Sequence, residues 1–98
     1  MQKVNNCTYM FNGCSKLRTI DAGILFGIGE GFASAQTLDF SVCPLSEASI
    51  ENITYDIGTV STAGAGSIIK FKADQYELYV TAARKATMEG KGWTVVSA

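Results

Sequence analysis

The sequence predicts an α/β fold in which parallel strands form one face of a short right-handed solenoid and helices form the other face. Residues 67–96 contain an apolar strand, an amphipathic helix and a second apolar strand. Parallel neighbours need a crossover of roughly a dozen residues or more, so this order favours parallel pairing. The predicted strand cores also recur at intervals of about 20 to 30 residues, a spacing typical of stacked units. The connections are expected to be right-handed.

Length and composition indicate one globular domain. The chain has 98 residues, of which 47% are hydrophobic and 17% are charged. A chain of this length can build one modest core and has no room for two domains. We therefore expect a single domain over residues 1–98, with irregular repeats in residues 1–43 and C-terminal capping strand–helix units in residues 44–98.

Charge and hydropathy exclude two classes of partner. Eight basic and nine acidic residues give a net charge of -1, and the Lys and Arg residues form no stripe, so we expect no binding to nucleic acid. The longest apolar stretch, near residues 23–28, is far shorter than the roughly 20 residues that cross a bilayer, so we expect no membrane insertion. The N-terminus lacks the apolar core of a signal peptide, which predicts either a cytoplasmic chain or a start beyond an export signal.

The cysteine and histidine content argues against catalysis. The three cysteines, Cys7, Cys14 and Cys43, form no CxxC pair, and the chain has no histidine. A zinc site of the usual kind and a Ser-His triad are therefore not expected. A cysteine nucleophile would need another base, so we interpret all three thiols as reduced, buried small hydrophobes. The sequence predicts no enzyme activity, no metal and no cofactor.

The N-terminal segment carries a short helical pattern followed by a strand. Its apolar residues fall at i, i+3, i+4 and i+7: Cys7, Met10, Phe11 and Cys14. The pair Asn12 and Gly13 limits this helix to one or two turns. A strand is predicted at residues 17–20.

The string YMFNGCSKLRTID resembles the repeat of the BspA-like leucine-rich repeat family of bacterial surface proteins. The family's core pattern is matched by Met10, Phe11, Cys14, Leu17, Ile20 and Asp21. The C-terminal KGWTVV, residues 91–96, is similar to the unit that closes such arrays. The resemblance covers residues 5–21 and 45–98 and fails in the glycine-rich residues 22–36.

The resemblance implies a non-catalytic protein-interaction or structural module, a fragment or small member of a bacterial surface repeat protein. It implies a bacterial cell-surface or secreted location if the chain is part of a longer exported protein, and otherwise a cytoplasmic one. Terminal coils of a solenoid normally need a polar cap, and the N-terminal coil has none. We therefore expect earlier repeats or a second copy of the chain to cover its strand edge.

The glycine-rich segment, residues 22–36, allows two interpretations. The segment has the glycine spacing of a phosphate-binding loop, at Gly27, Gly29 and Gly31. That motif requires a helix directly after the loop. Here the next predicted element is a strand, so a flexible or bulged connection is favoured. A small ligand-binding protein or enzyme that uses residues 22–36 stays the alternative function.

Four residues are candidates for an interaction surface: Val4, Asp21, Glu30 and Asp39. Asp21 and Asp39 follow equivalent strand cores and could line up as paired carboxylates on the rim of the sheet. They could equally be turn residues whose side chains accept backbone amides, which is the interpretation we favour.

The first well-signalled helix is predicted over residues 47–60. Pro44 ends the strand before it, Ser46 is placed to cap it, and Leu45 and Ile50 occupy the positions of a hydrophobic staple. The helix is amphipathic, so one face should be buried against the sheet.

A second helix is predicted over residues 75–89, with Asp74 as cap and Glu77 completing a capping box. Basic residues near its C-terminal end suit the negative end of the helix dipole: Arg84, Lys85 and Lys91. Gly90 or Gly92 should supply a left-handed exit. All strands should be parallel, at residues 17–20, 38–40, 68–71 and 94–96. The residues expected to be almost wholly buried are Ile53, Ile57, Ile69, Val80 and Trp93.

Overall fold

The computed structural model of the chain describes Phe11 and residues 13–98. The elements follow in the order β1 (Thr37–Phe40), α1 (Glu47–Asp56), a 3-10 turn (Thr62–Gly64), β2 (Ile68–Phe71), α2 (Ala73–Tyr79), α3 (Ala82–Glu89) and β3 (Thr94–Ser97). This part of the chain is therefore an α/β fold. The interaction candidate Val4, the thiol of Cys7 and most of the predicted N-terminal helix lie outside the described residues.

The strands form a small parallel sheet in the order β1-β2-β3. Thr37 of β1 lies beside Ile68 of β2, which in turn lies beside Thr94 of β3. The predicted parallel pairing is confirmed for these strands, and β1 and β3 are each one residue longer than predicted. Alternate residues of β1 and β2 point into the core, so the opposite face of the sheet is turned outward.

The predicted strand at residues 17–20 is wrong. The backbone of this segment bonds to the start of α1 instead of to another strand: the Arg18 carbonyl accepts from Ser46 N at 3.0 Å, and Ile20 N donates to Ser49 Oγ at 2.9 Å. Asn52 Nδ2 completes the set by donating to the Ile20 carbonyl at 3.0 Å. These partners satisfy the polar groups that a strand ladder would otherwise satisfy.

Helix α1 begins where the sequence predicts and ends earlier. Ser46 is the N-cap, and its side chain accepts a hydrogen bond from Ser49 N, which confirms the predicted cap. The helix ends at Asp56 instead of residue 60, because Ile57 has an extended ψ of 142° and Gly58 N donates to the Ile28 carbonyl at 2.8 Å. A contact with a distant segment therefore sets the end of α1.

The single helix predicted over residues 75–89 is wrong, since the chain forms α2 and α3 with a break at Val80. Thr81 begins α3 as an N-cap, and its Oγ1 accepts from Arg84 N at 3.2 Å. Asp74 does not cap α2. It lies in the first turn and pairs with Lys72, which occupies the N-cap position without a capping side chain.

One apolar core lies between the sheet and the helices. Ile53, Ile57, Ile69 and Trp93 are almost wholly buried, as predicted, with exposures of 2% or less. Val80 was predicted in this set and is only partly buried, because it lies at the break between α2 and α3. The helical side chain that is fully buried at this end of the fold is Met88 of α3. The other buried apolar residues are Ile20, Leu25, Ile28, Phe32, Leu38, Phe40, Cys43, Leu45, Ile50, Phe71 and Val95.

Candidate functional site

The glycine-rich segment forms a continuous series of tight turns over residues 21–32, here called the turn ribbon. Alternate amides donate to the carbonyl three residues earlier, from Ile24 N to Asp21 O at 3.2 Å through to Phe32 N to Gly29 O at 3.4 Å. The positive φ angles at Gly27 and Gly29, 76° and 108°, are ones that glycine adopts readily. The element after the ribbon is β1, so the strand–turn–helix context of a phosphate loop is not formed.

Hydrogen bonds fix the turn ribbon to the C-terminal end of α1 and the segment after it. Gly27 N donates to the Asp56 carbonyl at 2.9 Å, and Gly23 N donates to the Asp56 side chain at 2.6 Å. In the opposite direction, Gly58 N donates to the Ile28 carbonyl at 2.8 Å. Ser61 N donates to the Gly29 carbonyl at 3.0 Å. The ribbon is therefore an ordered part of the fold.

The turn ribbon buries some apolar side chains and exposes others. Leu25, Ile28 and Phe32 lie in the core. Ile24 and Phe26 are 50% and 55% exposed. The alternation follows from the tight turns, which direct neighbouring side chains to opposite sides of the ribbon. The ribbon thus has a buried apolar side and an exposed apolar side.

A second exposed ring lies one residue before the point at which α1 is hydrogen-bonded to the ribbon. Tyr55 of α1 is 62% exposed, and it precedes Asp56, whose carbonyl accepts the hydrogen bond from Gly27 N. Phe26 precedes Gly27, so this bond joins the immediate chain neighbours of Phe26 and Tyr55. We refer to Ile24, Phe26 and Tyr55 as the apolar knob.

Two predicted interaction residues lie on the turn ribbon, which also carries Ile24 and Phe26 of the knob. Asp21 and Glu30 are both exposed, at the first and a late turn of the ribbon. Their carboxylates form no hydrogen bond or ion pair with any residue that the structure describes. Both add negative charge to the ribbon, whereas the Asp56 carboxylate accepts a hydrogen bond from Gly23 N and interacts with the charge of Lys91.

Asp39, the third predicted residue, lies on β1 at the outward face of the sheet. Its Oδ1 accepts a hydrogen bond from Ser41 N at 2.8 Å, so its side chain closes a local turn. This agrees with the favoured interpretation of Asp39 as a turn residue. The structure thus places Asp21 and Glu30 on the ribbon and Asp39 on the sheet, and among the described residues no hydrogen bond or ion pair joins Asp39 to either of them.

Lys91 holds the end of α1 through three backbone carbonyls. Its Nζ lies 3.2 Å from Thr54 O, 3.0 Å from Tyr55 O and 2.7 Å from Ile57 O. Partial burial lowers the pKa of Lys91, because desolvation penalises the charged form, while the nearby Asp56 opposes this shift. The sequence suggested Lys91 as a cation at the end of the second helix, and its acceptors in α1 were not predicted.

Trp93 closes the same region from the core side. Its Nε1 donates to the Gly58 carbonyl at 3.0 Å, and its ring meets Phe32 edge to face at 5.6 Å. A Cβ on Gly29 would lie 2.9 Å from Cζ2 of this ring, so only glycine fits there without a shift. The alternation of glycine and apolar residues in the ribbon was the available signal for such close packing.

An ion pair cluster joins α1 to α3. Arg84 of α3 contacts Glu47 at 3.2 Å and Glu51 at 3.3 Å, and its Nη1 also donates to the Tyr79 carbonyl at 2.8 Å. The sequence gives no local signal for this contact, since Arg84 is far from both glutamates along the chain. The arrangement supports the helix pair and offers no free charged group for chemistry.

The thiols differ in their surroundings. Cys43 is fully buried, and its Sγ lies 3.9 Å from the Phe11 carbonyl. Burial, with smaller contributions from Cys14 and Asp39, raises the pKa of Cys43 to about 11. Cys14 is half-buried. A thiol with a raised pKa is protonated near neutral pH, so Cys43 is a poor nucleophile.

An open depression of about 500 Å³ lies on α2 and is lined by Asp74, Gln75, Glu77 and Leu78. Gln75 Oε1 has no hydrogen-bond partner there. Across the described part of the chain, no three His, Cys, Asp or Glu side chains are grouped closely enough to hold a metal ion. Nor does any described helix have the length and apolar character needed to span a membrane.

Comparisons of this chain with models of known protein families, with curated proteins and with solved structures found no match.

Proposed function

We propose that the chain is a non-catalytic protein-interaction or structural module, built as a short right-handed solenoid of the leucine-rich repeat type. The observation that carries this proposal is a stack of three phenylalanine rings. Phe11 stacks on Phe40 at 4.8 Å, and Phe40 stacks on Phe71 at 6.0 Å. These positions are about 30 residues apart, which is the behaviour expected of equivalent positions in successive coils.

Backbone hydrogen bonds between successive segments support the same proposal. Ile28 O accepts from Gly58 N, and Lys91 O accepts from Val60 N at 2.8 Å, so three segments at similar intervals lie side by side. On the sheet side, β1, β2 and β3 repeat the arrangement in register. Stacked coils of this kind bury a shared core and leave extended side surfaces on which partners bind.

The C-terminal KGW sequence fits the role of a closing unit. Lys91 binds the carbonyl of Ile57 at the end of α1, and the buried Trp93 donates a hydrogen bond to the carbonyl of Gly58. Gly92 between them has a φ of 90°, which turns the chain toward β3. These contacts hold the last coil on the coil before it, as a closing unit of the BspA-like family would.

The proposal places the chain in a bacterial cell-surface or secreted protein if it is part of a longer exported polypeptide. Its partner is a protein, and a second copy of the chain could cover the N-terminal coil. The alternative of a ligand site in residues 22–36 has less support, because the amides of the turn ribbon largely donate within the ribbon or to α1. Phosphate loops need such amides free for the ligand.

Two measurements test the proposal. A phage-displayed library of small helical-hairpin domains, randomised along one face, is selected against the immobilised chain, and the selected domains are titrated calorimetrically. Saturable complexes of fixed stoichiometry are expected, and a selection without such binders would contradict an interaction module.

The second measurement addresses the ligand-binding alternative. Thermal unfolding with a panel of phosphorylated and carboxylated metabolites should leave Tm unchanged, because a ligand raises Tm only if it binds the folded state. A rise in Tm would favour a ligand site. If that site lies at the ribbon, Glu30→Gln should enlarge the rise, because it removes a negative charge near the bound anion, and Glu89→Gln on α3 should not.

A further inference from the structure

We infer that the apolar knob is the docking surface of this module, and that its partner is a protein surface with an apolar pocket bordered by Lys or Arg. The inference rests on the proposed interaction function and names the surface that carries it. Ile24, Phe26 and Tyr55 are each at least half exposed. Single exposed apolar side chains are ordinary in folded proteins, whereas neighbouring ones on an ordered backbone mark interaction sites.

The backbone beneath the knob is fixed before a partner arrives. Gly23 N and Gly27 N both donate to Asp56, on either side of Ile24 and Phe26. Leu25 anchors the segment between them in the core with no exposed surface. A partner therefore meets side chains on an ordered support, which lowers the entropy lost on binding. Aromatic side chains on such supports are the typical hot spots of interfaces.

The charges around the knob select the partner. Asp21 and Glu30 are exposed on the ribbon, and Asp56 lies beneath Gly23. Lys91 directs its ammonium group to three backbone carbonyls of the helix end and offsets the charge of Asp56, so the uncompensated charges of the rim are those of Asp21 and Glu30. The rim is therefore acidic, which disfavours phosphate backbones and anionic membranes and favours Lys or Arg at the edge of the partner's pocket.

The remaining exposed apolar residues do not form a comparable surface. Leu78 is 66% exposed on α2, where the lining of the depression adds only polar and charged side chains. Val42 follows β1 and is 41% exposed. Leu78 therefore serves as a matched control, since it is a large exposed apolar side chain outside the knob.

The test uses the selected helical-hairpin domains and three variants of the full chain. Phe26→Ser removes the centre of the knob, Asp21→Asn with Glu30→Gln removes two rim charges, and Leu78→Ser is the control. Circular dichroism should show that each variant folds, because all four side chains are exposed.

Selected domains should be rich in apolar residues flanked by Lys or Arg. Their Kd should rise about tenfold or more with Phe26→Ser and stay unchanged with Leu78→Ser.

The rim variant should slow association and flatten the dependence of the rate on salt concentration. Binders that tolerate Phe26→Ser, or that lack basic residues, would overturn the inference and leave the interaction function standing. A selection without binders would count against both. Sedimentation equilibrium could instead show that the wild-type chain is a dimer and that Phe26→Ser dissociates it. That result would also overturn the inference of a partner with basic residues, since a second copy carries the same acidic rim.

Discussion

Lys91 Nζ lies 2.7 Å from the carbonyl oxygen of Ile57, the C-cap residue that follows α1. The last carbonyls of a helix have no partner within the helix and need one from elsewhere. Here a residue from the segment before β3 supplies it, so the end of one helix depends on a later segment of the chain. This couples the C-terminal unit to the base of the apolar knob, because Tyr55 O is bound by the same ammonium group.

Lys91→Met should therefore destabilise the fold. The variant keeps much of the side chain's apolar length and leaves the carbonyls of Thr54, Tyr55 and Ile57 without their ammonium donor. We expect a loss of about 1 to 3 kcal/mol in the free energy of unfolding, measured by urea denaturation. Lys16→Met is the control, since Lys16 is exposed. Equal effects of the two substitutions would contradict a capping role for Lys91.

The pKa of Cys43, raised to about 11 from an ordinary value of 9.0, predicts a pH dependence of stability. Between pH 9 and pH 11 the unfolded chain releases this proton and the folded chain retains it. The native state then binds more protons, so the stability that Cys43 contributes is complete below pH 9 and falls as pH rises toward 11.

Urea denaturation of the wild type and of Cys43→Ala across this range measures the effect. The difference between the two should depend on pH only above about 9, because substitution removes this titration and leaves the other groups in place. Parallel stability curves for the two proteins across the whole range would contradict the raised pKa. At neutral pH, alkylation of Cys43 in the folded protein should be slow.

The parts of the fold that were predicted depend on short-range patterns. Ser46 caps α1 through Ser49 N, only three residues away, and β1 and β2 are strands of four residues each. A capping side chain acts within one turn of a helix, and a short strand is recognised within its own few residues. Such signals are complete within a short window of sequence.

The parts that were missed depend on contacts between distant residues. The segment at residues 17–20 has an apolar pattern compatible with a strand, but its polar backbone groups bond to Ser46 and Ser49. The break at Val80 follows from a second N-cap, Thr81, inside a stretch with good helical character. In each segment the predicted and the observed backbone conformations both suit the local sequence, so tertiary packing decides which one forms.

For the candidate site, the sequence pointed to Asp21 and Glu30 and to the unusual glycine content of the ribbon. It did not predict which apolar side chains of the ribbon are exposed. That choice depends on the hydrogen bonds that join Gly23 and Gly27 to Asp56, more than 25 residues away along the chain. Tyr55 joins the knob only through the same contact.

Gly29→Ala should disrupt the packing of the turn ribbon more than Gly23→Ala does. Both glycines have positive φ angles, 108° and 88°, so each substitution introduces backbone strain of about 1 to 3 kcal/mol. At Gly29 the new Cβ would also lie 2.9 Å from Cζ2 of Trp93, whereas at Gly23 it meets open space. Thermal unfolding of both variants should give a lower Tm for Gly29→Ala. Matching values would show that the ribbon can move away from Trp93.

Trp93 should be the single most sensitive side chain of the closing unit. It is 2% exposed, packs edge to face on Phe32 and donates to the Gly58 carbonyl. Trp93→Ala leaves a cavity and an unpaired carbonyl, for which we expect a loss of about 3 to 5 kcal/mol. Small domains have only about 5 to 15 kcal/mol in total, so the variant should be close to unfolding at room temperature.

Trp93→Phe separates the hydrogen bond of Trp93 from its packing. The smaller ring keeps an aromatic partner for Phe32 and loses the donor to Gly58. The free energy of unfolding of Trp93→Phe should therefore lie between those of the wild type and Trp93→Ala. The measurement is urea denaturation followed by circular dichroism, because both substitutions remove the chain's one tryptophan fluorophore. A midpoint unchanged in Trp93→Ala would mean that the C-terminal segment contributes little to the core. It would count against the proposed stacked-coil architecture, since that architecture requires each coil to be stabilised by its neighbour.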